Sequence, residues 1–310
     1  MNAEGLSGPS AATGQRPDWP TRAAVIGAGQ MGGGIAQVLC LAGIDVAVCD
    51  VSRERAAAAV RSVLGRLERL TQKGKLDAAR LETARQKLLP HEFDEALADA
   101  ELVIEAASED PALKTQLFKR ADAAAPAAAV LASNTSSISI TRLGAVTSRP
   151  DRVVGMHFMN PVPLMKLVEV VRGIATSPAT VDLILGLCQR LEKTAIQSSD
   201  SPGFLVNRML LPFLNEACFA LQEGVGTAED IDQGARLGLN HPLGPLELAD
   251  LIGLDTVLAI AEVLHRDLGD DKYRPPTLLR NLVAAGYLGR KSGRGFYSYG
   301  ADGQKRGTDS

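Results

Sequence analysis

Short runs of β-branched residues alternate with helical patterns through the first two hundred residues of the chain. The runs that predict strands are 23–27, 45–50, 101–107, 129–133 and 153–158. Helices are predicted between them, among others at 31–43 and 111–125. Strands that alternate with helices indicate a parallel sheet with helices on both faces. The pattern therefore predicts an α/β domain with a doubly wound sheet.

Residues 51–90 interrupt this alternation. They are rich in Ala, Leu, Arg and Lys at helical spacing, with a break near Lys73-Gly74-Lys75. We expect a long helix followed by a second one. Together they would form a helical arm inserted into the sheet domain.

The strand pattern stops after Ser201-Pro202-Gly203. Residues 202–224 have the pattern of one long helix. Further helices are predicted near 227–237, 245–265 and 275–285. The second part of the chain is therefore predicted to be an all-α domain.

Length and composition fit two domains, because 310 residues exceed the usual size of a single core. We assign 21–200 to the sheet domain, 201–300 to the helical domain and 301–310 to a tail. Residues 1–20 are rich in Gly, Ser, Pro and Ala without an apolar segment, which predicts a disordered leader and not a signal peptide.

Charge and cysteine content exclude some classes of function. The formal net charge of −3 argues against nucleic acid as the main partner. No run approaches 18 consecutive apolar residues, so no membrane span is predicted. The cysteines have neither metal-site nor CxxC spacing, and they are Cys40, Cys49, Cys188 and Cys218. We expect free thiols in a reducing cytoplasm, and no metal site.

A glycine-rich turn joins the first predicted strand to the first helix. It reads Gly27-Ala28-Gly29-Gln30-Met31-Gly32, a GxGxxG pattern at the junction where a dinucleotide pyrophosphate meets a helix N-terminus. Asp50 ends the second predicted strand, where a carboxylate would bind the adenosine ribose hydroxyls and repel a 2′-phosphate. The sequence therefore predicts NAD binding in preference to NADP; the alternative is a glycine turn without a ligand.

Residues 51–90 also differ from the rest of the chain in charge. They contain ten Lys or Arg against four Asp or Glu. A cationic arm beside a nucleotide-binding sheet would suit a polyanionic ligand such as a coenzyme A thioester, with Lys73 as the first residue to test. A solvated helix face is the alternative.

Residues 153–171 form two apolar runs around a proline-rich turn. If the runs pair as a hairpin about Pro163, residues whose numbers sum to 326 lie opposite each other, and His157 and Glu169 satisfy that sum. A carboxylate beside an imidazole orients the ring and fixes its tautomer, as a general base requires. The alternative is a buried structural ion pair.

Polar residues lie at or just beyond the ends of several predicted strands, at the sheet edge where ligands bind. They are Asn134 to Ser137, His157, Asn160, Glu105 and Glu109. Each alone could be a cap or turn residue, but together they predict a crevice. Asn207, in the first helix of the second domain, could face that crevice or be a core amide.

Six ordered segments carry a resemblance to a known family. They are GAGQMGGGIA, ASNTSS, GMHFMNPVPLMKLVEVV, DSPGFLVNRML, GPLELADLIGLDT and GRKSGRGFYSY. The chain resembles the L-3-hydroxyacyl-CoA dehydrogenases from about Arg22 to Tyr299, and most of all the short bacterial 3-hydroxybutyryl-CoA dehydrogenases. The resemblance implies a Rossmann-type sheet domain and NAD as cofactor.

The resemblance also implies roles for individual residues. His157 is the implied catalytic histidine, Glu169 orients it, and Ser136 and Asn207 contact the substrate. The implied NAD contacts are Gly27, Gly29, Gln30, Met31, Gly32, Asp50, Glu109, Lys114, Ser136, Asn160 and Lys291. Lys73 and Ser136 are the implied coenzyme A contacts. Arg66 departs from the family, because some relatives have a serine there that contacts coenzyme A.

The implied activity is NAD-dependent oxidation of (S)-3-hydroxyacyl-CoA to 3-oxoacyl-CoA and its reverse, in fatty acid and butanoate metabolism. We expect a cytoplasmic homodimer that associates through the helical domain. Three alternatives remain. The substrate could be 3-hydroxyadipyl-CoA from aromatic-acid breakdown, the chain could be a β-hydroxyacid dehydrogenase with a catalytic lysine, or it could be a non-catalytic, crystallin-like NAD-binding protein.

Overall fold

The computed structural model describes residues 19–306. Its sheet has eight strands, which are β1 Arg22–Ile26, β2 Asp45–Cys49, β3 Leu88–Pro90, β4 Leu102–Glu105, β5 Val130–Ser133, β6 Val153–Phe158, β7 Leu167–Arg172 and β8 Thr194–Ser199. They are ordered β3-β2-β1-β4-β5-β6-β7-β8. Every neighbouring pair is parallel except β6 and β7, which are antiparallel. The doubly wound sheet is confirmed.

Helices cover both faces of this sheet. They are α1 Gln30–Leu41, α2 Arg53–Gln72, α3 Ala78–Lys87, α4 Phe93–Leu97, α5 Pro111–Ala124, α6 Ile140–Gly144 and α7 Pro178–Arg190. One apolar cluster packs α1, α2 and α7 on one face, and a second packs α4, α5 and α6 on the other. Because both faces are covered, β1, β4 and β5 are almost wholly buried.

The inserted arm is confirmed as the helix pair α2 and α3. Ser52 caps α2 by accepting a hydrogen bond from Arg55 N, and Asp77 caps α3 by accepting one from Ala79 N. The chain turns between the helices at Gly74, which has a φ of +66° that glycine tolerates.

The remaining helices form a separate all-α unit with its own apolar core. They are α8 Val206–Gln222, α9 Ala228–Gly238, α10 Pro245–Ile252, α11 Leu254–Leu268 and α12 Thr277–Ala284. Two predictions were wrong in detail. Helix α8 begins at Val206 and not at 202, because Gly203 and Phe204 have positive φ. The predicted helix 245–265 is two helices, divided at Gly253 with a φ of +102°.

Several elements have no counterpart among the predicted ones, including β3, α4, α6, α7 and β8. The first two are only three and five residues long. Strand β8 is a partly exposed edge strand of sequence TAIQSS, which has little apolar content. The leader predicted for 1–20 lies outside the described residues except for Trp19 and Pro20, and so does the predicted tail from 307 onward. In residues 19–306, no helix combines the length and apolarity that crossing a bilayer needs.

Candidate active site

The glycine turn has the geometry that a bound dinucleotide requires. Gly27 has a φ of +102°, and its amide donates to the Cys49 carbonyl at 2.8 Å. A Cβ on Gly32 would lie 1.8 Å from the Gly27 carbonyl oxygen, whereas a Cβ on Gly29 would meet nothing within 4 Å. The turn is therefore closed toward the sheet and open at the start of α1. A pyrophosphate fits there, against the free amides of α1, whose first two residues are Gln30 and Met31.

Asp50 lies directly after β2 and beside this turn. One carboxylate oxygen accepts a hydrogen bond from Ala28 N at 2.6 Å, and the other accepts one from Val51 N at 2.8 Å. Arg55 forms an ion pair with it at 3.2 Å. The Asp50 carboxylate is thus fixed where it could accept hydrogen bonds from the ribose hydroxyls of a dinucleotide.

The predicted hairpin register is present. His157 lies opposite Glu169 in the β6–β7 ladder, and His157 Nδ1 is 2.7 Å from Glu169 Oε2. Because an ionised carboxylate only accepts hydrogen bonds, Nδ1 carries a proton, and in the neutral ring Nε2 keeps its lone pair. Across residues 19–306 no protein group forms a hydrogen bond with Nε2.

Glu169 is held ionised although it is 0% exposed. Burial disfavours the charge, but hydrogen bonds from His157 and from the amides of Val206 and Leu205 outweigh it and lower the pKa of Glu169. Both amides lie at the start of α8 and bond to Oε1 at 3.0 Å. The helical domain therefore fixes the carboxylate that orients the histidine.

The loop after β5 is organised by Glu109, which precedes α5. Its Oε1 accepts hydrogen bonds from the hydroxyls of Thr135, Ser136 and Ser137, at 2.6, 3.1 and 3.1 Å. The Ser136 and Ser137 amides also donate to it. Burial disfavours the charged form, but Lys114 and these donors outweigh it and lower the pKa of Glu109. The Glu109 carboxylate is therefore a fixed negative charge around which the loop after β5 is arranged.

Lys114 was predicted as an NAD contact, but it lies inside the sheet domain. It is 1% exposed, and its Nζ donates to Glu105 Oε1 at 2.7 Å and to the Ala107 carbonyl at 3.2 Å. Glu105 is equally buried and also accepts from the Ser133 hydroxyl at 2.7 Å. This pair joins α5 to β4 and β5, and Lys114 Nζ also lies 3.4 Å from Glu109 Oε2. A direct contact with NAD remains a prediction.

Two amides connect these elements across the crevice. Asn207 on α8 places its Nδ2 3.5 Å from the Ser136 carbonyl, so it faces the sheet domain and is not a core amide of its own domain. Asn160, after β6, accepts a hydrogen bond from Gln30 at 3.0 Å. The crevice thus brings together the glycine turn, the loop 134–137 after β5 (the serine loop), the His157–Glu169 pair (the dyad) and α8.

A cavity of about 660 Å³ lies between the glycine turn, the arm and the β6–β7 turn. Lys73, at the end of α2, lines it together with Gly29, Arg66, Asn160 and Leu164. Lys291, by contrast, forms an ion pair with Asp255 of the helical domain, with 2.7 Å between Nζ and Oδ2. No hydrogen bond or ion pair joins Lys291 to the sheet domain within the described residues, so its role toward NAD remains a prediction.

Sequence reasoning missed the groups that hold this site in place. The role of the Leu205 and Val206 amides could be anticipated only in general terms. The first turn of any helix has free N–H groups, but the sequence does not show which acceptor they bind. Asn134 Oδ1 accepts from Phe158 N at 2.9 Å and so ties the serine loop to β6. The sequence places Asn134 after a strand but gives no sign of its partner.

Comparison with known proteins identifies the family. The model of the 3-hydroxyacyl-CoA dehydrogenase NAD binding domain matches residues 22–201, and that of the C-terminal domain matches 203–299. A probable 3-hydroxybutyryl-CoA dehydrogenase of Bacillus subtilis is 52% identical over 275 residues, covering 89% of this chain and 96% of the relative. The 3-hydroxyadipyl-CoA dehydrogenase of Escherichia coli is 42% identical over 280 residues, covering 90% of this chain and 59% of the relative.

A solved structure gives the same result. The (S)-3-hydroxybutyryl-CoA dehydrogenase from Ralstonia eutropha matches with a TM-score of 0.87 and 48% identity, covering 91% of this chain and 99% of that one. The matched regions include the glycine turn, the serine loop, the His157 hairpin and the helical domain. The chain therefore belongs to the 3-hydroxyacyl-CoA dehydrogenase family and is an NAD-dependent oxidoreductase.

Proposed function

We propose that this enzyme oxidises (S)-3-hydroxybutyryl-CoA to acetoacetyl-CoA, and catalyses the reverse reduction, with His157 as acid and base and Glu169 as its orienting partner. The observation that carries this proposal is the 2.7 Å contact between His157 Nδ1 and Glu169 Oε2. The contact leaves Nε2 as the basic atom at the carboxyl edge of an NAD-binding sheet.

In the oxidative direction, His157 Nε2 removes the proton from the 3-hydroxyl of the substrate. NAD supplies the hydride acceptor for the hydrogen on C3. The imidazolium that forms is stabilised by the ionised carboxylate of Glu169. In the reductive direction, the same Nε2–H protonates the oxygen on C3.

The remaining residues bind and orient. The glycine turn (27–32) and Asp50 would hold the dinucleotide at the start of α1, with Gln30, Met31 and Asn160 beside it. Ser136 and Asn207 would position the substrate oxygens, since both face the crevice. Glu109, Lys114 and Lys291 are further proposed NAD contacts. Lys73 would bind coenzyme A at the end of the arm.

The four-carbon substrate is supported by the names of close relatives. The Bacillus subtilis relative and the Ralstonia eutropha structure, at 52% and 48% identity, are 3-hydroxybutyryl-CoA dehydrogenases by name. The Escherichia coli relative at 42% identity is named for 3-hydroxyadipyl-CoA, which keeps the dicarboxylate as the second candidate.

Several large apolar side chains are exposed on the helical domain. They are Met209, Val225, Leu237, Leu239 and Leu251. Exposed apolar side chains favour association, and we propose a homodimer through this domain. Sedimentation should show a dimer, whereas a sole species of 32.7 kDa would contradict this. All four cysteines are free and buried, which supports a cytoplasmic enzyme.

Absorbance of NADH tests the proposed activity. Wild-type enzyme should oxidise 3-hydroxybutyryl-CoA with NAD at a higher kcat/KM than longer 3-hydroxyacyl-CoA esters or 3-hydroxyadipyl-CoA. A higher kcat/KM for 3-hydroxyadipyl-CoA would instead identify that dicarboxylate ester as the substrate. Oxidation of free 3-hydroxybutyrate, or no reaction with any ester, would overturn the proposal.

A further inference from the structure

The linker between the two domains carries a phenylalanine that packs against His157. The rings of Phe204 and His157 form a T-shaped pair, with 5.9 Å between their centroids and 62° between their planes. Aromatic rings attract each other at this separation and tilt. Phe204 is only 4% exposed, and it belongs to the apolar cluster of α4, α5 and α6, although it lies two residues before α8. Its ring therefore enters the sheet domain beside the dyad.

The backbone holds this ring in an uncommon conformation. Gly203 and Phe204 both have positive φ, at +74° and +50°. The Phe204 amide donates to the Ser201 carbonyl at 2.8 Å, which closes a tight turn. Glycine adopts positive φ freely, whereas a residue with a Cβ does so at an energetic cost that is typical of functional sites. A phenylalanine at a position that favours glycine indicates a role for its side chain.

The residues that follow Phe204 bind the other member of the dyad. The amides of Leu205 and Val206 both donate to Glu169 Oε1 at 3.0 Å. Three consecutive residues of the linker therefore contact both partners, since the ring of the first lies against His157 and the amides of the next two bind Glu169.

The start of this linker is fixed to the sheet domain. Asp200 Oδ2 accepts hydrogen bonds from Ser139 Oγ and from Thr141 N, both at 2.7 Å, and Oδ1 accepts one from Ile140 N at 3.0 Å. These donors lie at the start of α6, which follows the serine loop. Because the linker is bound to the sheet domain on both sides of Phe204, the position of the aromatic ring is well defined.

The ring contact restrains a motion of His157 that its hydrogen bond leaves open. The bond from Nδ1 to Glu169 fixes one edge of the imidazole, but the histidine torsion that turns the ring plane has a broad energy minimum. A tilt about the Nδ1 contact would carry Nε2 away from the substrate oxygen. A displacement of about 1 Å near the reacting atoms can lower a rate by about 10²-fold. A buried aromatic ring against the imidazole opposes that tilt.

We propose that Phe204 is a positioning residue for the proton transfer, because its ring holds the imidazole plane of His157 so that Nε2 points into the crevice. This inference rests on the proposed function, since it requires His157 to be the acid and base. Phe204 acts through His157 and not by binding a ligand. Its loss should therefore lower kcat and leave the KM values for NADH and acetoacetyl-CoA nearly unchanged.

A double-mutant cycle tests this role. The rate of acetoacetyl-CoA reduction by NADH is measured for wild type, Phe204→Gly, His157→Gln and the double variant. Glycine removes the ring and also suits the positive φ, so the substitution adds no backbone strain. Phe204→Leu is a second variant that keeps most of the apolar volume. Phe93→Leu is the matched control, because Phe93 on α4 is 6% exposed in the same apolar cluster.

Phe204→Gly should lower kcat by about 10²-fold, the usual effect of a misplaced reacting group. Phe204→Leu should lose about 3- to 10-fold, because leucine fills the space without a flat ring against the imidazole. Phe93→Leu should keep the wild-type kcat. In the His157→Gln background, Phe204→Gly should have almost no further effect, because the group through which it acts is already absent.

Several outcomes would overturn the inference. A kcat of Phe204→Gly within about threefold of wild type would show that the ring is not needed. An equal fall in kcat in the wild-type and His157→Gln backgrounds, or in Phe93→Leu, would assign the effect to general packing. A higher KM with unchanged kcat would assign it to ligand binding.

Circular dichroism establishes whether each variant is folded. If Phe204→Gly does not fold, the cycle is run with Phe204→Leu, and a wild-type kcat in that variant would overturn the inference. Near-normal turnover by His157→Gln, or a wild-type enzyme that does not reduce acetoacetyl-CoA, would instead reject the proposed function.

Discussion

Replacement of Glu169 by glutamine changes one buried atom of the proposed dyad. The carboxylate is fully buried and accepts hydrogen bonds from His157 Nδ1 at 2.7 Å and from two α8 amides at 3.0 Å. Glutamine has the same shape but only one acceptor oxygen. If that oxygen stays on the two amides, the NH2 group faces His157.

The consequence for His157 follows from hydrogen-bond polarity. Nδ1 would have to accept from the glutamine NH2, so the proton would move to Nε2 and the basic atom would be lost. We expect kcat for oxidation to fall by about 10²–10⁴-fold, the usual contribution of a general base, with little change in KM. The lost charge-assisted hydrogen bond should also lower the free energy of unfolding by about 1.5–3 kcal/mol.

The stability effect should depend on pH. The pKa of Glu169 is lowered below its ordinary value of 4.5, so its contribution is present above that value and is lost as the pH falls through the folded-state pKa. The difference in unfolding free energy between wild type and Glu169→Gln should therefore be largest near neutral pH and shrink below about pH 4.5.

Stopped-flow NADH absorbance measures the chemical step, and urea unfolding at several pH values measures stability. Glu223→Gln, at an exposed glutamate at the end of α8, is the matched control for loss of one charge. A Glu169→Gln enzyme with kcat within a few-fold of wild type would refute the reasoning about the tautomer. A stability difference that does not vary with pH would refute the assignment of an ionised Glu169.

Three further changes test the framework around the dyad. Gly32→Ala should cost about 1–3 kcal/mol in urea unfolding and abolish quenching of protein fluorescence by NADH, because its Cβ would overlap the Gly27 carbonyl; retained quenching would contradict this. Lys114→Met should lower the unfolding free energy by about 3–5 kcal/mol, since it leaves Glu105 buried without its partner, and a neutral effect would contradict that account. Leu246→Ala, in the core of the helical domain, should lower it by about 2–5 kcal/mol, and thermal unfolding without a shift in Tm would contradict this.

The parts of the site that could be predicted from the sequence depend on local periodicity. The pairing of His157 with Glu169 follows from strand alternation and a single turn, so the register could be predicted by counting residues. The glycine turn and Asp50 could be predicted in the same way, because each lies at a strand end. The arm was predicted because its composition differs from that of the surrounding sheet domain.

The parts that could not be predicted depend on contacts between distant segments. Lys114 lies in an ordinary helical pattern, and nothing local indicates that it is buried against Glu105. The bonds from the Leu205 and Val206 amides to Glu169 require the helical domain to be in place. Strand β8 is stabilised by its hydrogen-bond ladder with β7. Its own residues indicate a strand only weakly, so the sequence pattern did not predict it.

The most direct test of the central claim is the rate of NADH oxidation with saturating acetoacetyl-CoA in His157→Gln enzyme. His265→Gln, outside the crevice, serves as the matched control. The account predicts a fall of about 10²–10⁴-fold for His157→Gln, with a native circular dichroism spectrum and unchanged NADH binding. Near-normal turnover by His157→Gln would contradict the assignment of His157 as the acid and base.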